Sequence, residues 1–273
     1  MSLNTAILDT EPTSYWPLSD ITGPNCRDEI GLHDAVLNST GVKLAAIPFG
    51  DAFAPYLDGE IGSVLTVAND PQYSQPYANA LSVAAWICPL ALDNQFTLGS
   101  TDQYVHLLEK AVDSSTDVEW AMRLYNQKNP SRHSRLSFYT FKPVSPPGQG
   151  NGSYMEYDVS TNDTTPVELG GWLFLVGQAE PWISDSDPTT GCIIWKQGVG
   201  AARTPADKYV HYGVHPQHGS GPISIGGTSS CGFKGSLAHA AIWNRLLSSD
   251  EIASIWTAGQ TELLDTPMYH SYA

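Results

Sequence analysis

The chain has 273 residues, with 28 acidic against 13 basic side chains and a formal net charge of −15. This acidic excess argues against nucleic acid or a membrane surface as the partner, because both are negatively charged and attract basic proteins. Only 15% of residues are charged, and 24 Gly and 19 Pro are typical of many short strands joined by turns. The length allows a full hydrophobic core, so no disulfide scaffold is required.

The N-terminal residues lack the basic start and apolar run of a secretory signal, and no segment approaches the ~20 apolar residues of a transmembrane helix. We therefore expect a protein with no signal peptide and no transmembrane segment.

Strand-like runs bounded by Gly, Pro, Asn or Asp recur along the chain. The alternation is cleanest at 119–125, where Trp120, Met122 and Leu124 would face one way and Arg123 and Tyr125 the other. This pattern predicts a strand with one buried face and one face available to a ligand. Four runs at 105–110, 119–125, 135–141 and 154–159 indicate a meander of neighbouring strands.

One helix is predicted near the C-terminus, at 248–257. Ser248 can cap it, Glu251 stands at the third helical position, and Leu247 can form a hydrophobic staple. Residues 1–11 then form an N-terminal arm and 259–273 a C-terminal tail around a single domain that covers 1–273. Both ends are poor in charge, so we expect residues 5–8, 263–264 and 267–269 to contact other subunits.

Five sequence elements in order resemble the concanavalin A-like, laminin-G-like jelly roll. They are an opening strand at 15–20, an Asp-Gly turn and strand at 53–67, a Ser-Val-x-x-Trp-Ile-x-Pro strand at 81–89, a strand with Trp172 and Val176 at 171–177, and the closing strand and helix at 232–256. The resemblance implies an all-β sandwich with one short C-terminal helix. Residues 12–20 particularly resemble laminin-G-like domains of bacteriophage virion proteins.

The same fold serves glycosidases and non-catalytic binding modules, so the site residues must decide between them. Laminarinase-like relatives carry Glu-x-Asp-x-x-Glu on one strand, with two glutamates roughly 5 Å apart. Here Glu156 and Asp158 match the first two positions, but Thr161 occupies the third. We therefore predict no catalytic residues and no enzymatic activity.

No cofactor is predicted, although a structural calcium stays an alternative. Relatives use a carboxylate from the last strand for calcium, and Ala238 stands at that position here. Asp28, Asp34 and the aspartates of 185–187 remain candidates for weak calcium binding, although turn residues are the simpler interpretation.

The spacing of His211, His215 and His218 resembles a set of transition-metal ligands. Gly213 and Pro216 argue against a helix that would bring the three imidazoles together. No metal site is predicted from them.

The four cysteines are Cys26, Cys88, Cys192 and Cys231, and their wide spacing does not match a zinc ribbon. Cys88 lies in an apolar run and is expected to be buried. A pairing of Cys26 with Cys231 stays open.

Two groups of residues are candidates for carbohydrate binding. Trp182 stands in a polar loop with Asp185 and Asp187 nearby. An indole can stack on a sugar ring while neighbouring carboxylate oxygens accept hydrogen bonds from the hydroxyl groups of the sugar. The second group is Arg123, Tyr125 and Tyr139, provided that they share the open sheet face. In the alternative interpretation, Trp182 folds over the sandwich edge and the tyrosines cover the sheet.

We predict a non-catalytic binding or adhesion module, located in a virion as a tail or capsid-decoration protein. Its partners would be a cell-surface glycan or other virion proteins, and we expect a homo-oligomer within that assembly. Two alternatives are a polysaccharide hydrolase or lyase of the same fold, and a purely structural shell protein without a ligand.

Overall fold

A computed structural model describes residues 1–19, 24–37, 42–60, 62–76, 78–91, 104–112, 117–126, 134–142, 150–154, 169–184, 190–198, 207–209, 215–228 and 232–264. The elements in chain order are α1 (Leu3–Leu8), β1 (Ser14–Trp16), β2 (Asn25–Cys26), β3 (Ala35–Leu37), β4 (Val42–Phe49), β5 (Ala52–Asp58), β6 (Leu65–Val67), a 3₁₀ turn (Pro71–Tyr73), β7 (Leu81–Ala91), β8 (Tyr104–Lys110), β9 (Trp120–Tyr125), β10 (Leu136–Phe141), β11 (Gly150–Tyr154), β12 (Leu173–Ala179), β13 (Cys192–Gly198), β14 (Asp207–Tyr209), β15 (Ile223–Ile225), β16 (Lys234–Trp243) and α2 (Ser249–Leu264).

The strands form two eight-stranded antiparallel sheets. The first sheet has the order β14-β13-β12-β7-β16-β5-β4, with β1 also paired to β16, and the second has the order β11-β10-β9-β8-β15-β6-β3-β2. Several neighbours are distant in sequence, such as β12-β7, β7-β16, β16-β5, β8-β15 and β15-β6, as in a jelly roll, where connections cross between sheets. The β-sandwich predicted from the sequence is confirmed.

The main core lies between the two sheets, where inward-facing residues of both meet. Trp120, Met122 and Leu124 of β9 belong to it, as the alternation of that strand predicts. Cys26 is also part of this core. Cys231 lies outside the described residues.

A second core covers the outer face of the first sheet, and both helices contribute to it. Trp86, Trp172 and Trp243 are buried there, as predicted for tryptophans within apolar strands. Cys88 lies in the same core, and burial raises the pKa of its thiol to about 11. Strand β7 is therefore covered on both faces, which explains its continuous apolar sequence.

Helix α2 begins with the predicted capping box. The Glu251 backbone N–H donates to Ser248 Oγ (3.2 Å), and the Ser248 N–H donates to Glu251 Oε2 (2.8 Å). The helix runs to Leu264, so residues 259–264, assigned from sequence to a tail, continue it. Gly259 permits this extension, because a Cβ atom there would lie 2.3 Å from Trp86 Cζ2.

The segment 1–11, assigned from sequence to an arm, contains the short helix α1. Its Leu3, Ala6 and Ile7 are buried in the second core, and so is Leu263 of α2. The expectation that these apolar residues meet other subunits is therefore wrong for Ile7 and Leu263, since they pack within their own chain.

Candidate ligand-binding surface

The outer face of the second sheet carries a group of basic and aromatic side chains on β8, β9 and β10. Register places Arg123 directly between His106 of β8 and Ser137 of β10. The next outward row contains Glu109, Ala121 and Tyr139. Three neighbouring strands thus bring these residues together from positions far apart in the sequence.

The guanidinium of Arg123 lies against aromatic rings at the centre of this face. Its Cζ atom is 3.6 Å from the ring centroid of Tyr104, 4.8 Å from that of Tyr139 and 5.6 Å from that of Phe141. Such contacts attract a cation to the negative face of a ring. Within the described part of the chain, the Arg123 Nε atom is buried and has no hydrogen-bond partner. We call Arg123, Tyr104, Tyr139 and Phe141 the arginine–tyrosine cluster.

Tyr125 completes this neighbourhood. Its ring centroid lies 4.9 Å from that of Tyr104, and its hydroxyl is 3.4 Å from the hydroxyl of Tyr139. The three residues chosen from sequence, Arg123, Tyr125 and Tyr139, therefore share one sheet face and contact one another or a common neighbour.

The sheet face is less open than its sequence pattern indicates. Arg123 is 8% exposed and Tyr125 is 1% exposed, whereas Tyr104 and Tyr139 are partly exposed. The prediction of an available face is wrong for Tyr125, which supports the surface from beneath. The residues within reach of a ligand are Tyr104, Tyr139 and the rim of Arg123.

Sequence reasoning missed Tyr104, His106, Glu109 and Phe141. A bulge between His106 and Leu108 places both Leu107 and Leu108 in the core, so the simple alternation of β8 fails there. By contrast, Phe141 follows Tyr139 at the two-residue spacing that predicts a shared face, and this signal was present in the sequence.

An acidic group and an imidazole stand beside the arginine–tyrosine cluster. Glu109 Oε2 lies 2.6 Å from His106 Nδ1, and both side chains are buried. Among the described residues, Arg123 has no carboxylate within ion-pair distance. The guanidinium is therefore held by ring faces rather than by an opposite charge.

The other predicted group centres on Trp182, which is partly exposed. Its ring meets that of His215 edge to face, with centroids 4.6 Å apart. The loop that carries Trp182 is closed at its base, where the Gly191 N–H donates to Glu180 Oε2 (2.9 Å) and the Glu180 N–H donates to Gly191 O (3.0 Å). Asp185 and Asp187 lie outside the described residues.

Among the closely spaced histidines at 211, 215 and 218, the two that the structure describes make separate contacts. His215 contacts Trp182, and His218 Nε2 lies 2.7 Å from the carbonyl oxygen of Gln75. His211 lies outside the described residues. Within the described ranges, no three His, Cys, Asp or Glu side chains come together as a metal-binding group.

Asp28 is a fully buried turn residue. One carboxylate oxygen accepts hydrogen bonds from the Tyr15 and Ile30 N–H groups (2.9 and 3.1 Å), and the other accepts from Ser14 Oγ and the Leu32 N–H (2.8 and 3.0 Å). Asp34 Oδ1 accepts from the Asp28 N–H (3.0 Å). These bonds fit the structural role of a turn aspartate, with protein donors at the positions that a cation would take.

Two further observations concern alternatives raised by the sequence. Glu156 and Asp158, the residues nearest to a glycosidase motif, lie outside the described residues. Of the two α-helices that the structure describes, neither combines the length and the apolar character needed to cross a bilayer.

Comparison with solved structures finds β-sandwich domains at low sequence identity. The binding domain of botulinum neurotoxin serotype G is 14% identical over 90% of this chain and 51% of its own, with a TM-score of 0.59. The ligand-binding domain of serotype D, solved with N-acetylneuraminic acid, is 13% identical over 92% of this chain and 52% of its own, with a TM-score of 0.56. A Trypanosoma rangeli sialidase solved with sialic acid is 11% identical over 92% of this chain and 33% of its own, with a TM-score of 0.52.

The chain thus spans about half of the neurotoxin domains and one third of the sialidase. At these identities the likeness establishes the fold alone, a β-sandwich. No protein-family model matches the sequence, and no curated protein matches it.

Proposed function

We propose that this protein is a non-catalytic carbohydrate-binding module and that the arginine–tyrosine cluster is its ligand surface. The observation that carries the proposal is the Arg123 guanidinium, 3.6 Å from the Tyr104 ring centroid, with an Nε atom that has no hydrogen-bond partner in the described part of the chain. Partly exposed tyrosines beside it supply ring faces and hydroxyl groups. Sugars are bound by such combinations, because C–H faces stack on rings while hydroxyl or carboxylate oxygens accept hydrogen bonds.

Trp182 forms a second part of the proposal. A partly exposed indole held edge to face by His215 can stack on a sugar ring. Asp185 and Asp187 follow it closely in sequence and would supply hydroxyl acceptors. The sugar ligands named for the serotype D domain and the sialidase support carbohydrate as the ligand class.

A glycan array that contains neutral and carboxylate-bearing glycans tests the proposal. The wild-type protein is compared with Arg123→Lys, Tyr139→Phe and Trp182→Ala, and the exposed Arg27 provides the matched control Arg27→Lys. Lysine keeps the charge but loses the planar donors and the stacking of arginine, so we expect about a tenfold loss of binding for Arg123→Lys and none for Arg27→Lys.

The outcomes separate the alternatives. Loss of glycan binding only in Trp182→Ala would assign the ligand surface to the loop that carries Trp182. Absence of binding to every glycan would favour a purely structural shell protein. Release of reducing ends or unsaturated products from a bound polysaccharide would instead favour a hydrolase or lyase.

We further propose that the module acts on a virion, as a tail or capsid-decoration protein that assembles as a homo-oligomer. The support is the resemblance of residues 12–20 to laminin-G-like domains of bacteriophage virion proteins. Mass spectrometry of purified particles and light scattering of the isolated protein test this assignment. Absence from particles would contradict the location, and a monomer at micromolar concentration would contradict the oligomer.

A further inference from the structure

A cavity lies on the opposite side of the molecule, where strand β16 changes its neighbour. Lys234–Ser236 of β16 pair with β5, whereas Ala240–Ile242 pair with β1. Strands β5 and β1 therefore approach β16 from the same edge and separate between these two stretches. The separation leaves a gap in the first sheet that is independent of the surface proposed for carbohydrate.

A bulge in β16 directs His239 into this gap. The register against β7 shifts between Ala238 and Ala241, and His239 adopts a positive φ of 53°. Positive φ is uncommon for residues other than glycine, and its strain is retained where the surroundings or a function require it. The His239 backbone N–H donates to Pro17 O (2.9 Å), which fixes the bulge to the chain that leaves β1.

The His239 ring is positioned on two sides by aromatic residues. Its centroid lies 4.8 Å from that of Phe49 and 6.0 Å from that of Tyr15. Its Nδ1 atom is 2.6 Å from the Tyr15 hydroxyl, which donates its own hydrogen to Asn4 Oδ1. Nδ1 is therefore the donor to Tyr15, and Nε2 carries a lone pair.

The exposed rim of this ring opens onto the cavity. His239 is 5% exposed and lines a space of about 430 Å³. No hydrogen-bond partner for Nε2 exists among the described residues. Burial lowers the pKa of His239 to about 3, so the imidazole is neutral and acts as an acceptor.

Two carboxylates from different elements stand at the cavity wall. Asp51 occupies the two-residue turn between β4 and β5, and Glu262 lies on α2. Gly50 has a φ of 59°, and a Cβ atom there would lie 3.3 Å from Glu262 Cβ, so the turn fits closely against the helix. Glu262 Oε1 also accepts from the Leu3 N–H (2.7 Å), which joins α1 to the same wall.

The chemistry of this lining selects the ligand class. Among the described residues that line the cavity, none is Lys or Arg, whereas two carboxylates, an imidazole lone pair and hydroxyl groups all accept hydrogen bonds. An anion would meet only like charge there. A small cation that carries N–H donors would meet acceptors there.

We propose that the cavity around His239 binds a small organic cation with a primary ammonium or guanidinium group. His239 Nε2 accepts one N–H of this group at the base of the cavity. Asp51 supplies the opposite charge at the wall. The strained bulge of β16 serves to hold the imidazole in this position.

Isothermal titration of the intact protein with putrescine and, separately, with 1,4-butanediol tests the ligand class, because the two have the same carbon chain and differ in charge. We expect putrescine to bind and butanediol to bind at least about tenfold more weakly. Equal binding of both molecules, or no heat from putrescine at millimolar concentration, would overturn the proposal.

Variants locate the site. Asp51→Asn removes a charge from an exposed turn, and Glu60→Gln removes one from an exposed position beyond the other end of β5. We expect about a fivefold loss of putrescine binding for Asp51→Asn and no change for Glu60→Gln. Equal losses in both would show a general charge effect and contradict the site. Arg123→Lys should leave putrescine binding unchanged, which keeps this test separate from the glycan result.

Discussion

His239 should make the stability of this protein depend on pH in a specific way. Its pKa is lowered from the ordinary 6.5 to about 3 because burial removes the imidazolium from water. The unfolded chain therefore binds this proton more readily than the folded protein. The contribution of His239 to the free energy of unfolding is complete above about pH 6.5 and is lost as the pH falls toward 3.

The size of the effect follows from proton linkage between the two pKa values. The free energy of unfolding should fall by about 2 kcal/mol between pH 7 and pH 5, and by about 3 kcal/mol at pH 4, through this residue alone. Other titratable groups lie around the same site: the Tyr15 hydroxyl from β1 contacts the imidazole, and Asp51 from the β4–β5 turn and Glu262 from α2 line the same cavity. A comparison that leaves these groups in place is therefore required.

The variant His239→Asn provides this comparison, because asparagine tolerates positive φ and does not titrate. Urea unfolding followed by tryptophan fluorescence would measure both proteins at pH 7, 6 and 5. The wild-type protein should be more stable at pH 7, because the variant loses the bond to Tyr15, and its advantage should shrink by about 2 kcal/mol by pH 5. An advantage that stays constant within about 0.5 kcal/mol would refute the assignment of a buried neutral imidazole.

Two further substitutions test the packing. Glu119→Gln should lower the free energy of unfolding by about 3 to 5 kcal/mol in urea unfolding, because Lys110 Nζ, fully buried and 2.6 Å from Glu119 Oε1, would lose its countercharge. The exposed Glu60→Gln is the control, and a similar small change in both would contradict the role of the pair. Replacing a glycine by alanine within a helix usually stabilises the protein by about 1 kcal/mol. In Gly259→Ala, however, the new Cβ would lie 2.3 Å from Trp86 Cζ2, so thermal unfolding should show a lower Tm. An increase in Tm would show that α2 can move away from the sheet.

The sequence by itself determined the features that depend on local chemistry. Alternation placed Met122 and Leu124 in the core and Arg123 on the opposite face, since successive side chains of a strand point to opposite sides. Ser248 and Glu251 specified the start of α2, because a capping box is formed within one turn. The β-sandwich followed from many such short elements in a recognisable order.

Only the tertiary structure decided which faces are covered and which side chains meet. The sequence of 119–125 gives no sign that Tyr125 is 1% exposed, because burial depends on segments that are distant along the chain. The position of Glu109 beside Ala121 on the outer face depends on a bulge in β8, and the position of His239 depends on a bulge in β16. A bulge adds one residue to one strand of a pair, so it redirects every side chain beyond it. The position of a bulge depends on the strands that pair with the bulged strand, and these strands come together only when the chain folds.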